Sequence, residues 1–182
     1  MGLSTKAAFS RSAGFEREPE GIHIAAFVGY CNLGLQELTW KGKPKQAQMI
    51  QVFLAFKAGD EFYTYSTRYS FSFAPNSNLR NKFVAHLLGK RKFDEKDVPD
   101  MDVLLGKCLA IQLGHTAEDD EGRVYVDLIG SMATQGKPNL QGYEFPVRMR
   151  DYYIAKYKNC TLHPAMKVGA RDDGVEDRDL PF

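Results

Sequence analysis

The chain has 182 residues, of which 43% are apolar, and its formal net charge at pH 7 is +1. This length and composition allow one substantial core and predict a single folded domain with terminal arms. No apolar run approaches the ~20 residues that span a bilayer, and no apolar stretch of a secretory signal begins the chain. The sequence therefore predicts a soluble, cytoplasmic protein without a membrane partner.

The residues that commonly carry catalysis or bind metals do not form recognisable motifs. The chain has three cysteines, Cys31, Cys108 and Cys160. Their odd number and their wide separation in sequence favour reduced thiols. Cys160 and His163 have ligand-like spacing, but no second pair completes a zinc site. The carboxylates at residues 118–121 lack the spacing and turn glycine of a calcium loop. With no phosphate-binding glycine loop or nucleophile elbow, the sequence predicts no enzyme, cofactor or metal.

Charge is distributed unevenly along the chain. Residues 41–92 contain ten Lys or Arg and two acidic residues, a net charge of +8. Residues 93–182 contain eleven basic and seventeen acidic residues, a net charge of −6. The positive segment has the charge of a surface that attracts phosphate backbones, and an acidic end competes for that surface.

Alternating apolar residues predict three consecutive strands after a flexible arm at residues 1–20. The first strand runs from Gly21 to near Gly34, the second covers residues 49–56, and the third covers residues 62–73. Because short turns separate them, the three strands are predicted to form a meander.

The third predicted strand has two chemically different faces. One face carries Tyr63, Tyr65, Thr67, Tyr69, Phe71 and Phe73, and the other carries Thr64, Ser66, Arg68, Ser70 and Ser72. Burial of the aromatic face would make this a core strand of a β-barrel. Exposure would instead offer rings on which nucleotide bases stack, with Arg68 as the predicted phosphate contact.

The remaining elements complete a known order. A helix predicted between Pro75 and Gly89 is followed by strands at residues 107–113 and 123–129. Three strands, a helix and two strands are the element order of a five-stranded OB-fold barrel, here residues 21–132. Such barrels bind oligonucleotides or oligosaccharides on their second and third strands and on the flanking loops.

The turn after the first predicted strand holds the only tryptophan. Trp40 lies beside Lys41, Lys43 and Lys45, and the intervening Gly and Pro mark a turn. One interpretation folds Trp40 back onto the end of the barrel as a buried side chain. The other stacks a base on the indole while the three lysines contact phosphates.

The sequence is least informative in the C-terminal extension, residues 133–170, which precedes a tail at residues 171–182. Repeated Gly and Pro predict an extended segment, and residues 152–158 suit either a strand or a helical turn. Three roles are open for the extension: wrapping the barrel, pairing with another subunit, or adding Tyr and Lys contacts to a bound strand.

The last twelve residues contain five carboxylates and two arginines and end in Leu180, Pro181 and Phe182. This composition predicts a disordered tail. It resembles the C-terminal tip of bacterial single-stranded DNA-binding proteins, an acidic tail that ends in a hydrophobic residue, Pro and Phe. The resemblance implies that Phe182 docks in pockets on replication and repair proteins, while Asp177 and Asp179 meet basic rims.

Four short motifs in the body carry a second resemblance. They are Leu-Gly-Leu-Gln-Glu at residues 33–37, Tyr-Ser-Phe-Ser at 69–72, Ser-Asn-Leu-Arg at 77–80 and Leu-Leu-Gly-Lys at 104–107. They resemble a family of small bacteriophage proteins associated with replication and recombination. The resemblance implies a phage protein that acts in the cytoplasm of the host cell.

Together these features predict a non-enzymatic protein that binds single-stranded DNA without sequence preference. The predicted DNA contacts are Trp40, Lys41, Lys43, Lys45, Phe53, Tyr63, Tyr65, Arg68, Tyr69, Arg80, Arg91 and Lys92. Replication and recombination proteins are the predicted partners of the tail, and a homo-oligomer is compatible with the sequence. The alternative is a phage structural or scaffold protein that uses the barrel for protein contacts.

Overall fold

The computed structural model of the chain describes residues 17–89, 96, 98–157 and 159–162. Two of the predicted DNA contacts, Arg91 and Lys92, lie outside the described residues. The predicted tail, with Asp177, Asp179, Leu180, Pro181 and Phe182, lies outside them as well, as do residues 1–16 of the predicted arm.

One antiparallel sheet of six strands forms the body of the protein. The strands are β1 (Gly21–Trp40), β2 (Lys43–Ala58), β3 (Glu61–Ser70), β4 (Cys108–His115), β5 (Val126–Ala133) and β6 (Asn159–Leu162). Their order is β3-β2-β1-β4-β5, and β6 pairs with β1. The predicted all-β class and the predicted meander of β1, β2 and β3 are confirmed.

The sheet is open, whereas the sequence predicts a closed barrel. Within the described ranges no ladder joins β3 to β5, which are the two ends of the strand order. The two edges nevertheless approach each other, because the Tyr65 side chain on β3 lies close to the backbone of Leu128 on β5. Val126 and Leu128 pack against the same apolar cluster as Tyr65. Side chains rather than backbone pairing therefore connect β3 and β5.

The helical segments are short: a π-helix (Leu79–Val84), α1 (Ala85–Leu87), α2 (Met101–Leu104) and α3 (Val147–Lys156). The helix predicted before Gly89 corresponds to the π-helix and α1. Gly89 follows them with a φ of 65°, a left-handed conformation that commonly ends helices. In the described part of the chain, no helix has both the length and the apolar character needed to cross a membrane.

The β1–β2 hairpin is longer than predicted. β1 does not end near Gly34 but continues to Trp40, with irregular register between Asn32 and Gly34. A two-residue turn then follows, in which Lys41 and Gly42 have φ values of 49° and 75°. Positive φ at both turn residues is the hairpin geometry that matches strand twist. Residues 35–48, which we call the hairpin arm, contain no buried residue.

The body of the sheet is buried on both faces. The first core includes Phe27, Ile50, Val52, Leu54, Phe56, Tyr65, Leu79 and Phe83. The second core includes Val28, Cys31, Met49, Phe53, Ala55, Leu140, Tyr143, Phe145 and Tyr153. Since successive strand residues point to opposite faces, residues 49–56 of β2 contribute alternately to the two cores. All eight of these residues are buried.

The C-terminal extension wraps the sheet. Phe53 of β2 makes edge-to-face contacts with Phe145 and Tyr153, at ring-centroid distances of 5.2 and 4.8 Å. Thr64 and Tyr143 share a hydrogen bond of 2.8 Å between their side-chain oxygens. The predicted boundary at residue 132 falls inside β5 (Val126–Ala133), so the extension is continuous with the sheet. Of the three roles left open by the sequence, wrapping is the one observed.

The cysteine prediction is wrong for two of the three residues. Cys31 on β1 lies opposite Cys160 on β6, and the two form a disulfide across a Cα–Cα distance of 4.1 Å. They are 129 residues apart in sequence, so only the pairing of β6 with β1 brings them together. Cys108 is the free cysteine among the described residues, and burial raises the pKa of its thiol.

Candidate nucleic-acid interface

One face of the hairpin arm combines an indole with two ammonium groups. In the β1–β2 ladder Trp40 lies opposite Lys43, and Leu38 lies opposite Lys45. Directly opposed residues of an antiparallel pair project to the same face, and residues two apart along a strand share it too. Trp40, Leu38, Lys43 and Lys45 therefore share one face, which we call the arm face. Lys41 occupies the turn at its tip.

The arm face contains a small hollow where the arm joins the sheet. Its volume is about 120 Å³, and it is lined by Leu38, Trp40, Lys45, Ala47 and Ser70. The Trp40 side chain is 47% exposed at this hollow. Trp40 is therefore not a buried side chain, and part of the indole is accessible for stacking.

Charge is also segregated between the two faces of the arm. Glu37 lies opposite Gln46, one residue out of phase with Leu38, so its carboxylate projects from the other face. Within the described residues, no carboxylate forms an ion pair with Lys41, Lys43 or Lys45. All three lysines are exposed. The arm face is therefore positively charged and has the composition of a surface that binds a polyanion.

The arm face lies on the same side of the sheet as the second core. Leu38 and Ala47 pack against that core, which is covered by Tyr143, Phe145 and Tyr153 of the extension. The face of β2 and β3 beyond the arm is therefore occupied by the protein itself. The arm face and the outer surface of α3 are exposed parts of this side.

Arg68 has protein partners at the boundary between the arm and α3. Its Nε donates a hydrogen bond of 2.7 Å to Oε1 of Gln51, and Tyr153 is hydrogen-bonded to both Arg68 and Ser66. Burial raises the pKa of the Tyr153 hydroxyl, and the nearby Arg68 charge opposes that rise. Gln51 is fully buried, and its Nε2 has no hydrogen-bond partner among the described residues. Arg68 thus connects β3 to α3, where the sequence predicts a phosphate contact.

The DNA-contact role predicted for Phe53 and Tyr65 is wrong. Phe53 is 0% exposed in the second core and Tyr65 is 7% exposed in the first core, so neither ring offers a face to a base. Phe53 is enclosed because Phe145 and Tyr153 pack on it, and Tyr65 is enclosed because the edges of β3 and β5 approach.

Tyr63 and Tyr69 also belong to the first core. Tyr63 stacks on Phe56 with ring centroids 5.5 Å apart, and Tyr69 lies 5.6 Å from Phe83. Both rings are partly buried and pack against the first core, as the interpretation of β3 as a core strand predicts. The predicted grouping of these tyrosines on one face of the strand is confirmed.

Arg80 lies on the π-helix that covers the first core, away from the arm face. Its Nη1 donates a hydrogen bond of 3.2 Å to the carbonyl oxygen of Phe73. The guanidinium therefore holds the loop that follows β3. Of the predicted DNA contacts within the described residues, the structure brings together Trp40, Lys43 and Lys45 with Lys41 at the tip, and Arg80 does not join them.

The outer surface of α3 carries charged and aromatic side chains, and Tyr and Lys contacts from this segment to a bound strand are one of the three roles that the sequence leaves open. Arg148, Tyr152 and Lys156 are four residues apart and form one stripe along the outside of the helix. This spacing is visible in the sequence, but it identifies a stripe only once the segment is known to be helical.

No metal site is assembled in the described ranges. Their His, Cys, Asp and Glu side chains form no group of three or more that could hold a metal ion. Comparison with known proteins finds no family model and no curated protein that matches the chain. The interpretation of the site therefore depends on its own geometry and charge.

Proposed function

We propose that the protein binds single-stranded DNA without sequence preference, and that the arm face is its principal contact. The register of the β1–β2 hairpin carries this proposal, because it places the exposed Trp40 on the same face as Lys43 and Lys45. Aromatic faces stack any base, and adjacent cations follow the phosphate backbone. That combination suits a flexible single strand whose bases are accessible.

The strand order supports this proposal. An OB-fold has the same neighbours, β3-β2-β1-β4-β5, with its sheet closed between β3 and β5. The hairpin arm is the connection between β1 and β2, one of the two loops that flank the ligand face of an OB-fold. The central part of that face is covered here by the extension, so we assign binding to the arm rather than to β3.

The biological setting is also part of the proposal. The body motifs resemble phage replication and recombination proteins, and we propose on that ground that the protein acts in the cytoplasm of a host cell. The acidic tail, residues 171–182, would recruit replication or recombination proteins through Leu180, Pro181 and Phe182. Deletion of these three residues should abolish partner recruitment, measured by pull-down, while DNA affinity stays equal or rises.

An oligonucleotide titration that follows Trp40 fluorescence tests the arm directly. We expect oligo-dT to quench the indole at low salt, and the affinity to fall as salt rises, because each neutralised phosphate of a single strand contributes about 0.7 to the salt slope. The double variant Lys43→Gln/Lys45→Gln should lower that slope by about 1.4 if each lysine contacts one phosphate. The double variant retains Trp40 as the reporter.

Lys57→Gln is the matched control. Lys57 is exposed on the same strand and on the same face as Lys45, but at the opposite end of β2. It should leave the salt slope unchanged. Absence of a fluorescence response at low salt, or an equal effect of Lys57→Gln, would overturn the assignment of DNA binding to the arm. Stable assembly with a phage structural protein and no DNA binding would support the scaffold alternative.

A further inference from the structure

Helix α3 buries little of its surface. Among its residues Tyr153 is buried, and the stripe of Met149, Tyr153 and Tyr157 faces the second core. The adjacent stripe of Arg148, Tyr152 and Lys156 is exposed. Packing of α3 on the sheet accounts for the first stripe, whereas the second presents a cation–aromatic–cation order at the surface, where the Tyr152 ring also contacts the Tyr153 ring edge-to-face at 5.1 Å.

The exposed stripe is locally organised. The Nζ of Lys156 donates a hydrogen bond of 3.0 Å to the Tyr152 hydroxyl and lies 5.3 and 5.5 Å from the ring centroids of Tyr152 and Tyr157. The hydrogen bond with Tyr152 raises the pKa of Lys156, so the ammonium stays charged. Tyr152 is 43% exposed. A charged group is thus held next to an accessible ring.

The stripe and the arm face lie on the same side of the sheet. Met149 and Tyr157 pack against the second core, as do Leu38 and Ala47 at the base of the arm. Directly after α3, β6 pairs with residues 29–32 of β1, just before the arm begins. The C-terminal end of α3 therefore approaches the base of the arm.

Charge on α3 is mainly positive. The helix carries Arg148, Arg150 and Lys156 against one carboxylate, Asp151, which lies 3.3 Å from the Nε of Arg150. A strand that leaves the arm face toward α3 would thus meet further cations. Arg68, at the boundary between the two surfaces, adds to the same positive potential.

We propose that α3 is a second contact surface for the same single strand, with a base stacked on Tyr152 and phosphates bound by Arg148 and Lys156. This inference rests on the proposed function of the arm. The extension would then have two roles. It covers the face on which an OB-fold binds its ligand, and the outer surface of α3 binds the strand instead.

Oligonucleotides of two lengths distinguish binding at the arm face alone from binding that also includes α3. Binding sites on OB-folds cover roughly 4 to 16 nucleotides, so dT4 and dT16 bracket a strand that reaches only the arm and one that also reaches α3. Trp40 quenching reports the occupancy of the arm in both cases. The double variant Tyr152→Ala/Lys156→Gln should bind dT4 as the wild type does and bind dT16 about fivefold or more weakly.

Single conservative variants test whether the ring of Tyr152 and the charge of Lys156 are the groups that contact the strand. Tyr152→Phe keeps the ring and should retain dT16 affinity, whereas Tyr152→Ala should not. Lys156→Arg should retain the salt slope, whereas Lys156→Gln should lower it by about 0.7 with dT16. Lys137→Gln, an exposed charge change outside both surfaces, is the control and should have no effect.

Several results would overturn the role of α3 while leaving the arm intact. These are equal affinity of the double variant and the wild type for dT16, equal weakening with dT4 and dT16, or tighter binding by the double variant. The last result would identify α3 as a cover that excludes the strand. Failure of the arm itself gives a different result, namely no Trp40 response with either oligonucleotide.

Discussion

The two halves of β2 differ in what packs on them. Residues 49–56 lie between the first and second cores, so even the large ring of Phe53 is completely enclosed. Residues 43–48 belong to the hairpin arm, where no buried residue occurs and the facing Trp40 remains 47% exposed. Both halves have alternating side chains and aromatic neighbours. An aromatic residue on a strand therefore indicates a binding surface only where one face of the strand is left uncovered.

The largest expected effect is in the enclosed half. Phe53→Ala removes a ring that contacts both Phe145 and Tyr153, and large-to-small changes of this kind cost about 3–5 kcal/mol of unfolding free energy. Urea unfolding measures the loss, and Phe53→Leu should lose less because it leaves a smaller cavity. The folded fraction of Phe53→Ala should keep its oligo-dT affinity. A selective loss of affinity without destabilisation would contradict the burial of Phe53.

The buried tyrosines predict a loss of stability at alkaline pH. Desolvation, together with the charge of Glu18, raises the pKa of Tyr65 to about 12. The unfolded chain loses this proton near pH 10, whereas the folded protein retains it, so stability is complete below pH 10 and falls as the pH rises toward 12. The contribution of Tyr65 to that fall is about 2–3 kcal/mol.

Urea midpoints at pH 9 and pH 11.5 measure this fall in stability. Tyr65→Phe removes the titrating hydroxyl, so the fall should be smaller in the variant than in the wild type. A remaining slope is expected because burial also raises the pKa of Tyr69 and Tyr143. Identical pH dependence of the variant and the wild type would show that Tyr65 is accessible to solvent in the folded protein.

In the exposed half, a substitution should weaken DNA binding and leave the free energy of unfolding nearly unchanged, the reverse of Phe53→Ala. Trp40→Ala removes a stacking surface worth about 1–3 kcal/mol per base, which weakens oligo-dT binding about 5- to 150-fold. Its effect on the free energy of unfolding should stay within about 0.5 kcal/mol, as for surface substitutions in general. Fluorescence anisotropy of a labelled oligonucleotide replaces the lost tryptophan signal.

Trp40→Phe is the informative companion to Trp40→Ala. It retains an aromatic face and should keep part of the affinity lost in the alanine variant. A large loss of stability in Trp40→Ala with unchanged DNA affinity would mean that the indole serves the fold, and the contrast between the two halves of β2 would fail.

The boundaries that the sequence missed have local physical causes. Gly34 was predicted to end the first strand, but the backbone passes through an irregular register there and continues to Trp40. The turn predicted from the Gly and Pro after Trp40 does lie there, at Lys41 and Gly42, so the error is in the length of the first strand and not in the position of the turn. The segment at α3 has too little apolar periodicity to distinguish a helix from a strand, since few of its side chains are buried.

Side-chain alternation on β3 and the succession of the first five strands along the chain were predictable because both follow from local sequence patterns. A strand projects successive side chains to opposite faces, so Tyr63, Tyr65 and Tyr69 share a face whatever packs on it. The coverage of each face was decided only in the tertiary structure. Residues 140–153 cross the sheet from a distant part of the chain, bury Phe53 and engage Arg68.

The sequence by itself thus determined the all-β class, the meander, and the pairing of an indole with lysines near one turn. Only the tertiary structure decided that Trp40 stays accessible, that the tyrosines of β3 are core residues, and that Cys31 meets Cys160. The physical reason is that exposure depends on the partners of a surface. Those partners are set by packing between segments remote in sequence, which no local pattern encodes.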